Sequence, residues 1–195
     1  MCNNFPVARK YEQKRRADKQ AETRRRIVEA AIELHRTKGP ARTTLSDVAR
    51  LAGVERHTLY RHFPGERELF LACSGLFGEW HPVPDPAVWE AIADPEERLR
   101  KALGELYAYF ELTGDMAASV LRDAEVDPLT REVAELRRGG PTQRIRDTLA
   151  RGVRGRKRLA ALELALDFYA WRRLTRSGLS RKEAVETMIA AVFAQ

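Results

Sequence analysis

Apolar positions recur at intervals of three and four residues along most of this chain, and no segment alternates apolar and polar residues long enough to read as a strand. The pattern predicts an all-α protein. Ile27, Ala30, Ala31 and Leu34 mark a helix from Thr23 to the break at Gly39-Pro40. Leu45, Val48, Ala49 and Leu51 form a second, short amphipathic run that stops at Gly53. Thr44, with Asp47 three residues on, opens that run as a capping-box variant in which Asp replaces the usual Glu or Gln. A third short helix is expected from about Arg56 to His62, ended by Pro64-Gly65. Further helices are expected near 66–79, 96–113, 116–125, 128–138, 141–153, 157–177 and 180–193. Pro82, Pro84 and Pro86 make the stretch from Trp80 to Asp94 a rigid loop or linker, and Gly139-Gly140-Pro141 and Gly152…Gly155 are expected to interrupt helices.

Composition adds direction. Across 195 residues the net charge is +7, which favours an anionic partner, nucleic acid before an acidic membrane surface. Residues 1–67 hold 16 Lys/Arg against 8 Asp/Glu, and the remainder holds 19 against 20. The whole excess therefore lies in the first third, where residues 8–22 are strongly basic with little apolar face. This predicts a basic, solvated arm over 1–22, a DNA-binding domain over 23–67 and a second domain over 68–195. Cys2 and Cys73 stand far apart, so no disulfide scaffold is expected and a reducing cytoplasm fits. No apolar run approaches the ~20 residues that span a bilayer, and the charged N-terminal region does not read as a signal peptide.

Residues 44–63 place two short helices about a tight turn at Gly53, with the small Ala49 where the helices approach and Val48, Val54 and Leu59 as contacts between them. This is a helix-turn-helix layout, whose second helix enters the DNA major groove. Arg56, His57 and Thr58 open that helix, where side chains meet base edges. Tyr60, Arg61 and His62 offer phosphate donors. Thr44 combines a hydroxyl with the N–H groups of a helix start. Arg9, Lys10, Lys14, Arg15, Arg16, Lys19 and Arg24 to Arg26 can follow the minor groove or add nonspecific affinity.

The ordered combination Arg26-Ile27-Val28-Glu29-Ala30-Ala31, Gly39, Thr43-Thr44-Leu45-Ser46-Asp47-Val48-Ala49, Ala52-Gly53-Val54, Thr58-Leu59-Tyr60-Arg61-His62-Phe63 and Leu69-Phe70 resembles the DNA-binding domain of the TetR (tetracycline-repressor-like) family of transcriptional regulators. The resemblance implies an all-helical, dimeric protein, with an N-terminal three-helix DNA-binding domain and a C-terminal helical bundle that dimerises and binds ligand. It implies a repressor released from a palindromic operator by a small molecule. The implied DNA-binding residues are Arg24, Arg25, Thr43, Thr44, Glu55, Arg56, His57, Thr58, Tyr60 and His62. Three positions depart from the family pattern. His35 stands where Phe is common. Glu55 stands where Ser commonly caps the recognition helix. Glu66 stands where Lys often begins the fourth helix.

In the second domain, Leu159 to Trp171 is apolar nearly all round, interrupted by Glu163 and Asp167, so it is expected to be buried on most faces. With the stripe Ala184, Val185, Met188, Ile189, Val192 and Phe193 it suggests a four-helix interface between two copies. Leu162, Leu166, Tyr169, Val185, Met188, Ile189 and Val192 are the expected dimer contacts. Trp80, Tyr107, Phe110, Phe168 and Trp171 are candidates for lining an effector cavity. Glu111, Asp115, Asp123, Glu125 and Asp127 read as a solvated face before a site for a cationic ligand.

An enzyme is the second class of function. Against it, the four histidines show no metal-binding spacing, and no phosphate-binding glycine loop or nucleophile elbow is present. No metal or cofactor is expected. A constitutive architectural protein without an effector is the third class.

Overall fold

The computed structural model describes the backbone of residues 5–193 and side chains from residue 11 to residue 193. Every regular element among the described residues is helical, and the chain divides into two compact units between Phe77 and Gly78.

The first unit contains α1 (Phe5–Thr37), a 3-10 turn (Pro40–Arg42), α2 (Leu45–Ala52), α3 (Arg56–His62) and most of α4 (Glu66–Trp80). Ile27, Val28, Ala31, Val48, Ala49, Leu59, Phe63, Leu69 and Phe70 make its core. Only the second half of α1 packs on it. The first half, where a solvated arm was expected, continues the same helix, and its side chains from 11 to 22 are exposed. Ala, Glu, Gln, Lys and Arg dominate that stretch, and these favour helix without tertiary support. Cys2 and the side chains of Arg9 and Lys10 lie outside the described residues. His35 is buried in the core, with its ring edge-on to Phe70 at 4.7 Å and Nδ1 3.4 Å from the buried Cys73 thiol.

The second unit holds a 3-10 turn (Pro86–Trp89), α5 (Pro95–Ala124), α6 (Pro128–Ala150), α7 (Arg156–Leu166), α8 (Phe168–Arg176) and α9 (Arg181–Phe193). Asp94, Asp127 and Asp167 cap α5, α6 and α8 by accepting from backbone N–H groups three residues on, at 2.7, 2.7 and 2.8 Å. Trp89, Leu99, Leu103, Tyr107, Leu149 and Leu162 form the centre of the core, with Phe110, Phe168 and Trp171 in mutual ring contact beside them. Tyr107 donates to the Ala165 carbonyl at 2.9 Å, and burial pushes its hydroxyl well above its ordinary pKa.

Three helix boundaries differ from expectation. The segments 96–113 and 116–125 are one helix, because Gly114 sits against Trp171 and Phe168 and is held there by packing. Gly139-Gly140-Pro141 does not break α6, which carries Pro141 inside it. Conversely, 157–177 is two helices. Asp167 adopts an extended backbone and caps α8, a role that an i,i+4 reading of Glu163 and Asp167 misses. The proline-rich stretch ends by placing Trp89 at the centre of the core, so it is more than a linker.

Candidate nucleic-acid interface

The α2–turn–α3 unit is fixed by a few specific contacts. Thr44 Oγ1 accepts from the Asp47 N–H at 3.1 Å, and the Asp47 carboxylate accepts from the Thr44 N–H at 3.3 Å, so the box predicted from sequence is reciprocal. Gly53 takes the left-handed conformation, with φ 63° and ψ 43°, and ends α2 there. The Arg26 guanidinium donates to the Ala52 carbonyl at 2.5 Å and to the Gly53 carbonyl at 3.1 Å. It ties α1 to the C-terminal end of α2, where a cation complements the helix dipole. Leu59, fully buried, pins α3 from beneath, and its exposed positions follow from that one anchor by helical periodicity.

Asp47 is the electrostatic hub of this unit. Lys38 Nζ lies 2.5 Å from one carboxylate oxygen and an Arg50 nitrogen 2.7 Å from the other. The Lys38 hydrogen bond first, then those from Thr44, hold its pKa down to about 2. The carboxylate is therefore ionised at any neutral pH and neutralised by its own neighbours.

The expected reading residues divide into two groups. Glu55, Arg56, His57 and Tyr60 are exposed and Thr58 is half-buried, and all lie on or next to the first turns of α3. Glu55 makes no capping bond, so its carboxylate projects without an intramolecular task. Arg56 reaches the Tyr60 hydroxyl at 3.4 Å and lies 5.9 Å from its ring, while His57 and Thr58 meet at 3.3 Å. Arg61 is also exposed.

The other group already has structural work. Thr43 donates its hydroxyl to the Gly39 carbonyl at 2.7 Å. The Thr44 N–H is taken by Asp47, leaving the hydroxyl hydrogen as that residue's donor. Arg24 stacks over Phe63 at 4.7 Å, Arg25 pairs with Glu29 at 2.7 Å, and Arg26, expected to follow a groove, closes α2 instead. His62 turns inward. Its Nε2 is buried without a partner, and burial first, then Arg61 and Arg24, lowers its pKa. That geometry does not suit the phosphate donor expected of His62. No sequence signal separates Arg26 from Arg24 and Arg25, because the choice depends on which face of α1 meets α2.

The second unit contains a cavity of about 760 Å³ between α5, α6, α7 and the start of α8. Of the candidates for lining an effector cavity, Phe110 and Phe168 line this one, whereas Tyr107 and Trp171 are core and Trp80 is 46% exposed on α4. Tyr109 on α5 and Arg138 and Ile145 on α6 also line it and were missed; Gly139-Gly140-Pro141 read as a break, which hid the continuous α6 face that carries the latter two. None of Glu111, Asp115, Asp123, Glu125 and Asp127 lines it. Of the expected dimer contacts, Leu162, Val185, Ile189 and Val192 are buried within their own unit and cannot face a second copy as they stand. Tyr169 is exposed, and Leu166 and Met188 are half-buried. A uniformly apolar helix looks the same whether it is buried by its own chain or by another.

Among the described residues no helix is long and apolar enough to cross a membrane. Residues 27–73 match the family model described as bacterial regulatory proteins, tetR family. The chain is similar to the HTH-type transcriptional regulator TtgR of Pseudomonas putida, with 37% identity over 95 residues. That alignment covers 48% of this chain and 45% of TtgR, so the chain spans less than half of that relative. Two solved structures share the fold. A mutant of HlyIIR superposes with TM-score 0.69 at 14% identity, covering 90% of this chain and 100% of that one. PfmR, a TetR family transcriptional regulator from Thermus thermophilus, superposes with TM-score 0.60 at 25% identity, covering 85% and 96%.

Proposed function

We propose that this chain, whose residues 27–73 match the model of the tetR family of bacterial regulatory proteins, is a sequence-specific transcriptional regulator of that family, a homodimeric repressor that leaves a palindromic operator when a small molecule binds its second unit. The observation that carries this reading is the exposed row Glu55, Arg56, His57 and Tyr60 on an α3 that Leu59, Arg26 and Gly53 hold in one position. Arg56 is suited to guanine O6 and N7, and Glu55 to cytosine N4. The Tyr60, Arg61 and Thr44 hydroxyl or guanidinium donors suit flanking phosphates. A pair of such helices related by a dyad reads two half-sites about one helical turn apart. The protein acts in the cytoplasm, where its DNA is.

Dimerisation falls to the second unit, where Leu159, Leu164 and Tyr169 are exposed and Leu166 and Met188 are half-buried. The cavity that Leu164 and Leu166 help to line is of a size that holds a small ligand. Mapping the DNA fragments bound by the purified protein, with its mass measured by sedimentation on and off DNA, tests the reading. Palindromic sites bound by two chains are expected. Sites without a repeated element, or a monomer at micromolar concentration on its DNA, contradict it. A constitutive DNA-binding protein would show the same sites and no loss of binding with any small molecule.

A further inference from the structure

We propose that the second unit's cavity binds an amphipathic carboxylate, an apolar body carrying one anionic head, with the head seated on the Arg138 guanidinium. This rests on reading that unit as the effector-binding half of a regulator.

The walls favour an apolar body. Most of the lining residues are apolar or aromatic, among them Leu106, Phe110, Leu121, Ile145, Leu166 and Phe168. The charged groups among them are unequal in what they lack. Arg146 and Glu163 satisfy each other at 2.7 Å. Asp167 caps α8 through the Ala170 N–H at 2.8 Å, at the helix end whose dipole favours a negative charge. Arg138 has neither a hydrogen bond nor an ion pair among the described residues. Tyr109, Tyr169 and Asp167 are near enough to be felt by it, yet none is within hydrogen-bond or ion-pair distance.

Burial lowers the pKa of Arg138, but a guanidinium does not give up its proton at neutral pH. Arg138 is half-buried, and a partly desolvated cation with no directly paired counter-charge is unfavourable. A carboxylate meeting its planar fork with two parallel hydrogen bonds removes that penalty and fixes the ligand's orientation. An amine head would set a second cation beside the first, and an alcohol would leave the charge uncompensated. The carboxylates of the middle helices, which would favour a cationic ligand, are absent from the lining, and several have other tasks, Asp123 pairing with Arg122 at 2.7 Å. Glu111 pairs with Arg181 at 3.3 Å and Asp127 caps α6.

The test uses the full chain and three matched sets: octanoate, decanoate and phenylbutyrate, each beside the alcohol and the amine of the same skeleton. Calorimetric titration and thermal unfolding report binding. At least one carboxylate is expected to bind about tenfold or more tighter than its alcohol and its amine. Arg138→Gln should bring that carboxylate down to its alcohol while leaving the alcohol unchanged, and Arg138→Lys, which keeps the charge without the fork, should fall between. The proposal is overturned if no carboxylate exceeds its alcohol and amine, or if a folded Arg138→Gln protein keeps the preference. The comparison of skeletons in the unsubstituted protein does not depend on how the variants fold. Release of DNA is read separately. A carboxylate that binds at Arg138 without releasing DNA sustains the ligand class and defeats the ligand-released repressor.

Discussion

The first unit, through Phe77, holds 16 Lys/Arg against 9 Asp/Glu, and the second holds 19 of each. Both are helical, yet they are held differently. The first has a small core and positions its short helices through single polar contacts: the Thr44–Asp47 box, Gly53 in the left-handed region, and Arg26 on the end of α2. The second has long helices about a large aromatic core, and its polar side chains mostly cap helices or pair at the rim. A surface that reads DNA needs donors at fixed places outside, whereas a half that admits a ligand needs apolar walls and space within. On the proposed function, the difference in charge is a difference in where each unit does its chemistry.

Core truncation should separate the units most strongly. Leu59→Ala removes a fully buried side chain and should destabilise the first unit by about 2–5 kcal/mol, and Phe110→Ala should cost the second about 3–5 kcal/mol. Hydrogen exchange monitored by mass spectrometry should localise each loss to its own unit. A loss of protection spread equally over both would show that they do not fold as two units.

Next in size is Gly53→Ala. A Cβ there meets a left-handed backbone and lies 3.4 Å from the Arg26 guanidinium, so a cost of about 1–2 kcal/mol in the first unit is expected from denaturant unfolding. Equal stability would mean that the turn is looser than its contacts indicate.

Smaller again is the contribution of the basic extension of α1. Removing residues 1–20 should weaken DNA binding and flatten its dependence on salt, since Lys14, Arg15, Arg16 and Lys19 go with it. A gel-shift series across salt concentrations that shows an unchanged slope would leave the extension as a solvated helix.

The smallest effect concerns pH. The Asp47 carboxyl titrates near 2 in the folded protein, below its ordinary 3.8. Because the folded value is the lower one, its stabilisation is fully present above about pH 4 and is lost as pH falls from there through 2. Asp47→Asn should remove that portion of the acid sensitivity of the first unit, measured by acid titration of its circular dichroism. An unchanged titration would place the acid transition elsewhere.

Much of the first unit was legible because its signals are local. Thr44 with Asp47, Gly53, and the exposed row on α3 each depend on residues within a turn or two of one another. The second unit was less legible because its outcomes depend on distant partners. Gly114 stays helical under Trp171, Pro141 is carried within α6, and Asp167 caps a new helix where apolar periodicity runs on. Val185, Ile189 and Val192 have the pattern of an interface, and their own chain buries them. Arg138 stood out in no motif, since its interest comes from the company it lacks in a cavity that only the tertiary fold creates.

The central claim is that α3 of the first unit reads DNA sequence through its exposed side chains, and selection of binding sites from random duplex DNA tests it most directly. The unsubstituted protein should enrich a two-fold symmetric site with half-sites about one helical turn apart. Arg56→Ala and His57→Ala should each relax the preference at particular base pairs, by about 1–3 kcal/mol per pair, and Tyr60→Phe should weaken binding evenly across sequences. If the three variants select the same site with the same affinity as the parent, α3 is not the reading helix and the account fails.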